Sequence, residues 1–494
     1  MTRGEETLYS GECKIIKETS NGTTIDFLLK PTNHNIQRFK KKRFRSIRED
    51  IIPSPIIRFT HPLTGKVHNF KVADLSGSGF SVEETENTCV LLPGIIFPDV
   101  EMLFANSFKI HFKAQVIYRE KSVSLESGEV FKCGIVIIDI SLSYHENLMG
   151  LLHQKKDKNT IISSEIEIDD LWDFFFESGF LYPEKFNHIN QFKPALIKTY
   201  KTLYTQHPDL ARHFICKTQD FIQAHMSSIR FYEKSWLIHH HAARRSSFKT
   251  GGLSVLNQIG RFFNNSHRLH SAKMDYLFCY FRDTNKFPKR VFGGACRNIN
   301  NPKACSLDSF AYFYLSNKSE KDTVIPQDWG LSDSIKEDLE ELNIYYNYKS
   351  NGLMLKAFNL SPNKFTMNDL SDEFNKIGLK RERYFFSLKK SGILKAIFMV
   401  NISDKGLNLS DLTNNITIYV IDSNNLPFDI VDSIVSIISD KLKMEQTPIM
   451  VYPVEYMEEE QIPFERHYNL WILNMNNTDN YFQYLNRLLK FIQH

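Results

Sequence analysis

The sequence predicts a multidomain chain in which an N-terminal antiparallel β-barrel precedes α/β (α+β) domains, and three observations carry the prediction. Its 494 residues exceed the roughly 250 to 300 at which a single hydrophobic core stops growing. Over residues 51–140, short apolar runs separated by turn residues give about six strands, with a closing helix after them, the pattern of a small barrel. Past a polar, charged junction at residues 153–170, strand-sized runs alternate with helical ones, as in an α/β sandwich.

Composition bounds the function. With 42% hydrophobic and 13% aromatic residues, the chain has apolar surface for several cores, which excludes disorder as its dominant state. Its longest apolar runs, such as GIVIIDI at 134–140, are strand-sized and short of the roughly 20 residues a membrane span needs. No transmembrane segment is expected. The start, MTRGEETLYSGECKI, carries acids and no apolar stretch, so no secretory signal is expected either. The seven cysteines lie at 13, 89, 133, 216, 279, 296 and 305, without C-x-x-C spacing. That predicts reduced thiols in a cytoplasm, with neither a disulfide frame nor a metal site. A net charge of +4 is too small for bulk nucleic-acid affinity, so no nucleic-acid partner is expected and any anion binding is local.

The local charge lies in RFKKKRFRSIR, residues 38–48, a run of lysine and arginine with no acid before Glu49 and Asp50. By itself such a run is a solvated linker or an anion patch. After those two acids the chain reads IIPSPIIRFTHPLTGKVHNFKVADLSGSGFSVEE, in which HPLTGK supplies a turn between two strands. Residues 107–120 and 129–140 give further strands, and 143–154 the short helix. Within the hairpin, KVADLSGSGFSV sets Asp74, Ser76 and Gly79 at a strand end. A plain turn would account for an aspartate cap and a glycine at positive φ. A ligand site is the other reading.

An arginine-rich entry followed after some 25 to 30 residues by D-x-S-x-x-G on a barrel strand resembles the PilZ domain, the bacterial receptor for cyclic di-GMP. The second motif is complete in Asp74, Ser76 and Gly79. The first, R-x-x-x-R in the family, is not met literally: the available sets are Lys41 with Arg45, or Arg43 and Arg45 with Arg48. The resemblance implies cyclic di-GMP as a regulatory ligand, bound by Arg43, Arg45, Arg48, Asp74, Ser76 and Gly79. The chemistry fits. A guanidinium fork can engage guanine N7 and O6, and a second can neutralise phosphate or stack on a base. Asp74 can accept from guanine N1 and N2, Ser76 can meet a remaining polar group, and Gly79 removes a Cβ from the ligand's path.

Beyond the junction, 171–186 reads as a helix stopped by Gly, Tyr and Pro. Strand-like runs come next at 227–243, 274–282, 289–297 and 306–315, with a helix at 253–264 between the first two. After a polar stretch at 316–334 comes a second, similar mixture. It holds a hairpin at 381–401 turning at Ser391 and Gly392, a central strand at 414–422, an amphipathic helix at 429–443, a buried strand at 447–456 and a final helix.

That order resembles the acyl-CoA N-acyltransferase (GNAT-like) fold, twice over, and implies a PilZ-like domain at 1–155 with GNAT-like halves at 160–335 and 336–494. It also implies an acyl donor, acyl-CoA or an acyl carrier protein thioester, with the carrier protein as a partner. Many members of that superfamily place a Gly-rich pyrophosphate loop at the start of the helix after the central strand. Here the second half has DSNNLPFDIV, with no glycine, and the first has KTGGLSVLNQIG, with Gly251 and Gly252 before a helix.

No catalytic residue is assigned, and each candidate keeps two readings. HHHAARR at 239–245 offers a general base and two arginines, or a partly buried strand on which at most two histidines share a side. Cys305, Ser306 and Asp308 are a nucleophile cluster or a capped turn. Glu455 is a base on a strand or a surface carboxylate. Two functions therefore stand: a cyclic di-GMP-regulated acyltransferase moving an acyl group from a thioester to an amine, or a non-enzymatic receptor whose degenerate halves form a binding platform.

Overall fold

The computed structural model describes residues 9–10, 13–20, 25–32, 37–38, 44, 46–85, 88–105, 108–124, 128–154, 160–161, 167–181, 190, 192–218, 221–244, 251–315, 325–360, 362, 370–404, 407, 409, 412–444 and 447–493. The chain divides into two units, Met1–Ile140 and Ser141–His494.

In the first unit, alternation along the strands makes a barrel. Ile57 and Phe59 point inward from β1 (Ile56–Thr60) while Ile56, Arg58 and Thr60 face out. A turn in which the His61 and Lys66 backbones pair leads into β2 (Val67–Ser76). Next along the chain are β3 (Gly79–Glu84), β4 (Ile96–Leu103), β5 (Lys109–Ser124) and β6 (Gly128–Ile140). The six close in the order β6-β3-β2-β1-β4-β5, each neighbouring pair antiparallel. Phe80, Val82, Met102, Ile110, Ala114 and Val116 fill the interior. A separate ribbon pairs Cys13–Ser20 with Ile25–Pro31.

The helix expected to close the barrel, α1 (Leu142–Gln154), is grouped instead with the second unit. There the Arg212 guanidinium donates to the Leu142 carbonyl and buried His145 meets the Ser266 hydroxyl.

The second unit is built on one twelve-stranded sheet. Its strands are β7 (Thr160–Ile161), β8 (Ala211–Thr218), β9 (Phe221–Tyr232), β10 (Ser235–Ala243), β11 (Tyr276–Arg282), β12 (Cys305–Leu315), β13 (Trp329–Asp333), β14 (Arg381–Lys390), β15 (Ile393–Ser403), β16 (Asn415–Val420), β17 (Thr447–Tyr452) and β18 (Arg466–Asn474). They lie side by side as β7-β8-β9-β10-β11-β18-β12-β17-β16-β15-β14-β13. On one face, α2 (Ile168–Glu177), α3 (Lys193–Gln206) and α5 (Lys336–Lys349) bury Leu171, Tyr200, Leu203, Leu339 and Tyr346 against Leu237, Ile397 and Met399. On the other, α4 (Leu253–Ser266) and α6 (Phe428–Leu442) cover Trp236, Phe398 and Val400, the alternate residues of the same strands. The last helix, α7 (Thr478–Gln493), sets Phe482 against Gly260 of α4.

The two halves repeat one plan. β10 runs through α4 into its parallel neighbour β11, and β16 through α6 into its parallel neighbour β17. In each half the strand after that parallel pair crosses over: β12 pairs with β17, β18 with β11, and the two pair with each other. The sheet is therefore continuous through the boundary expected near residue 335.

Three local expectations change. Residues 289–297, read as a strand, form a π turn, Lys289–Gly293, and a helix, Gly294–Ile299, with Gly294 packed where a Cβ would lie 2.1 Å from the Tyr484 hydroxyl of α7. The run 227–243 is a hairpin turning at Glu233 and Lys234. The strand at 447 stops at Tyr452, because Pro453 has no N–H to continue a ladder, and Glu455 sits in the helix Val454–Glu459.

Candidate functional site

The D-x-S-x-x-G stretch forms the β2–β3 hairpin, with Ser76 opposite Gly79 and Gly77 and Ser78 between them. A bulge between Val72 and Asp74 bends β2 just before the motif and re-aims its carboxylate. Ser76 is buried and its hydroxyl donates to the Gly79 carbonyl at 2.8 Å. A Cβ on Gly79 would lie 2.5 Å from the Ile135 carbonyl oxygen, so the glycine lets β6 approach. Both residues thus have work within the turn itself.

Asp74 faces two cations. Arg48 Nη1 meets Oδ1 at 2.7 Å and Lys132 Nζ meets Oδ2 at 2.9 Å, with the Asp74 side chain 15% exposed and the cations 34% and 38%. Burial acts to raise its pKa, but hydrogen bonding from Lys132 and Ser81 and the charge of Arg48 hold the carboxyl below its ordinary value. The hydrogen bond to Asp74 in turn raises the Lys132 ammonium. Arg48 is placed by the backbone: Glu49 and Leu75 exchange hydrogen bonds of 2.8 and 2.9 Å, which ties the end of the basic run to β2. Arg43 and Arg45 lie outside the described residues.

Lys132 was not visible as a site residue in the sequence. It stands alone in an apolar run, and only the β6–β3 and β3–β2 registers carry it to Asp74. Beside it, the Tyr118 ring packs across Gly134, where a Cβ would lie 2.0 Å from the ring.

In the second unit the histidines do not alternate. A register shift in β9–β10 and a positive φ of 50° at His240 turn His239 and His240 to the same face, their rings stacked 3.9 Å apart. Tyr204 and His239 Nε2 are bonded at 2.6 Å, and Tyr200 and His225 Nε2 at 3.0 Å. Burial lowers His239 to about 3 and holds His225 well below its usual range. His241 points the other way, beside Phe287, and burial lowers it to about 4. Arg245 lies outside the described residues, and Arg244 pairs with Glu177 at 2.5 Å. Among the described residues no three His, Cys, Asp or Glu side chains assemble as metal ligands.

The parallel pair β10–β11 is in register only over Ser235–Leu237 with Tyr276–Phe278, and beyond that the strands part. Gly251, at the head of α4, backs onto Gln223 and Ala224 of β9. The pair β16–β17 stays in register from Ile416 to Tyr419.

Cys305, Ser306 and Asp308 separate. Asp308 accepts from the hydroxyls of Tyr346 at 2.8 Å and Ser350 at 2.6 Å, and burial raises its carboxyl to about 6. Ser306 accepts from the Leu353 amide on that same face. Cys305 projects oppositely, to Trp471 and Cys296. Glu455 is half exposed and pairs with Lys349 at 3.5 Å, a surface carboxylate rather than a buried base.

No known family model matches the chain, and no curated protein sequence matches it. Among solved structures it is similar to K. pneumonia MrkH in its apo state, at 16% identity and a TM-score of 0.21, covering 30% of this chain and 68% of that one. It is similar to the PilZ domain of Escherichia coli YcgR with c-di-GMP, at 19% identity and a TM-score of 0.20, covering 24% of this chain and 97% of that one. A Drosophila protein matches at 11% identity and a TM-score of 0.32, covering 68% of this chain and 98% of that one. With every score this low, the functional reading rests on the residues of the site.

Proposed function

We propose that the chain is a cyclic di-GMP receptor, with the ligand held at the β2–β3 end of the barrel. The observation that carries this reading is Asp74, an ionised carboxylate presented between Arg48 and Lys132 at the end of an arginine-rich segment. A guanine edge offers N1–H and N2–H donors to Asp74, while Arg48 turns its fork to guanine O6 and N7 or to a phosphate. Arg43 and Arg45 add cations for the second phosphate. Ser76 and Gly79 set the turn that aims Asp74. Calorimetry on the full chain tests it: micromolar binding of cyclic di-GMP is expected, and absence of heat at high micromolar ligand rejects the reading.

For the second unit we propose an acyltransferase-like scaffold whose working half is the first. Support comes from the parallel pair β10–β11, which parts after Leu237 and Phe278 with Gly251 and Gly252 at the helix that comes next. An acyl thioester placed there would lose its acyl group to an amine, with the protein supplying position and hydrogen-bond donors. Burial of the His239 and His240 rings, just past the paired stretch of β10, favours the second reading, a binding platform without turnover. Thiol release from a panel of acyl-CoA and acyl carrier protein thioesters, with amine acceptors and with cyclic di-GMP present or absent, separates the two. Turnover supports transfer, and none across the panel leaves the platform.

A further inference from the structure

Two cysteines outside both candidate sites are held together by the backbone of the second unit. Cys296 lies in the short helix Gly294–Ile299 and Cys305 begins β12, and their sulfurs stand 2.8 Å apart. The link between them is fixed: Asn300, at a positive φ of 47°, donates its amide to the Cys296 carbonyl at 2.9 Å, and the Cys305 amide donates to the Asn301 carbonyl at 2.9 Å. The sulfurs need to approach by less than about 1 Å to reach the roughly 2.05 Å of an S–S bond. Cys296 is partly exposed, whereas Cys305 is buried beneath Trp471, whose indole N–H donates to its sulfur at 3.0 Å.

We propose that Cys296 and Cys305 form a reversible intramolecular disulfide when the protein meets a hydroperoxide, Cys296 reacting first. The Cys296 thiolate attacks a peroxide oxygen, the O–O bond breaks, and a sulfenic acid forms while the departing hydroxide leaves as water with a proton. The Cys305 sulfur then attacks the sulfenic sulfur. The S–S bond forms, the S–O bond breaks, and the hydroxide released takes the Cys305 proton to leave as a second water. In sum two thiols and one hydrogen peroxide give one disulfide and two waters, and a dithiol reductant reverses the change. The order is set by access, and burial also raises the Cys305 thiol, so it waits for an electrophile next to it. The bond would staple the Gly294–Ile299 helix to β12, the strand that crosses between the halves.

Trypsin separates the two cysteines into peptides 291–297 and 304–318, which makes the test direct. The reduced full chain is treated with one equivalent of hydrogen peroxide, alkylated and digested without reductant. The linked pair of peptides is expected, lost on dithiothreitol treatment, absent from C296S and C305S, and retained in C279S. Because Trp471 touches Cys305, tryptophan fluorescence of the wild type should fall on oxidation and recover on reduction. Sulfinic acid at Cys296 without a linked peptide, or linkage to the Cys279 peptide instead, overturns the proposal.

Discussion

Asp74 has two cationic partners where a capped turn would need none, and that geometry makes each of the three side chains testable. Losing a charge-assisted hydrogen bond costs on the order of 1.5 to 3 kcal/mol, or roughly ten- to hundredfold in affinity. Calorimetry on the folded full chain should therefore show Asp74→Ala and Arg48→Ala each weakening cyclic di-GMP by about that range. With Arg48 turned to the ligand as proposed, Lys132 would be left to hold the carboxylate, so Lys132→Ala should cost about tenfold. An unchanged affinity would mean that Lys132 serves only the empty barrel. Gly79→Ala acts on the fold: its Cβ meets a carbonyl oxygen of β6 at 2.5 Å, and the backbone must shift. A loss of about 1 to 3 kcal/mol is expected, visible as faster amide hydrogen exchange in residues 56–140 and not in 211–474. The turn that carries Asp74, Ser76 and Gly79 was legible in the sequence because its residues are local to one stretch of chain. Lys132 was not, because its place depends on registers across three strands.

Among the elements, β10 departs furthest from its pattern. It was legible as a strand, but its bulge was not, since a positive φ at a histidine leaves no mark in a pattern of side chains. Nor was the hairpin at Glu233 and Lys234, which lacks the Gly, Asn or Pro that announces a turn. Residues 289–297 misled through the apolar pair Val291 and Phe292, although Gly294 beside them leaves room for the Tyr484 side chain of α7. The bulge places His239, opposite Ser227 of β9, and nearby His225 in a tyrosine-lined interior where both stay neutral. Unfolded histidine takes a proton near pH 6.5, and these take none until far lower. Below pH 6.5 the unfolded state therefore binds more protons, and stability falls as pH falls, by about 1.4 kcal/mol per histidine per pH unit. The loss continues until the folded His239 itself titrates, at about 3. Urea midpoints of the second unit should drop steeply between pH 7 and 5, and His239→Gln, which can still bond Tyr204, should make the drop shallower by about one proton. A midpoint flat over that window would show that these rings are already charged in the folded state.

Across the molecule, the strand-and-helix alternation of both halves was readable, but the crossing of β12 and β18 was not, because each pairs with a strand remote in sequence. The crossing matters for how a signal could travel. It welds residues 211–474 into one sheet, so the second unit should respond to a ligand as a body rather than half by half. The basic run lies in the barrel unit and is tied down at its end by the Glu49–Leu75 bridge. Cyclic di-GMP would neutralise the like charges of residues 38–48, a local change of charge of the kind that shifts domain arrangements. It can act on the second unit only through a difference in affinity between two arrangements, and a tenfold preference supplies about 1.4 kcal/mol. That is enough to move an evenly balanced pair of arrangements to about ten to one. Small-angle scattering and the rates of proteolysis within 38–50 and 153–170, with and without ligand, are expected to change together. Slower cleavage at 38–50 with no change at 153–170, in the scattering envelope or in thiol release would confine the response to the barrel, and the signal would then have to leave through a partner that reads the occupied barrel directly.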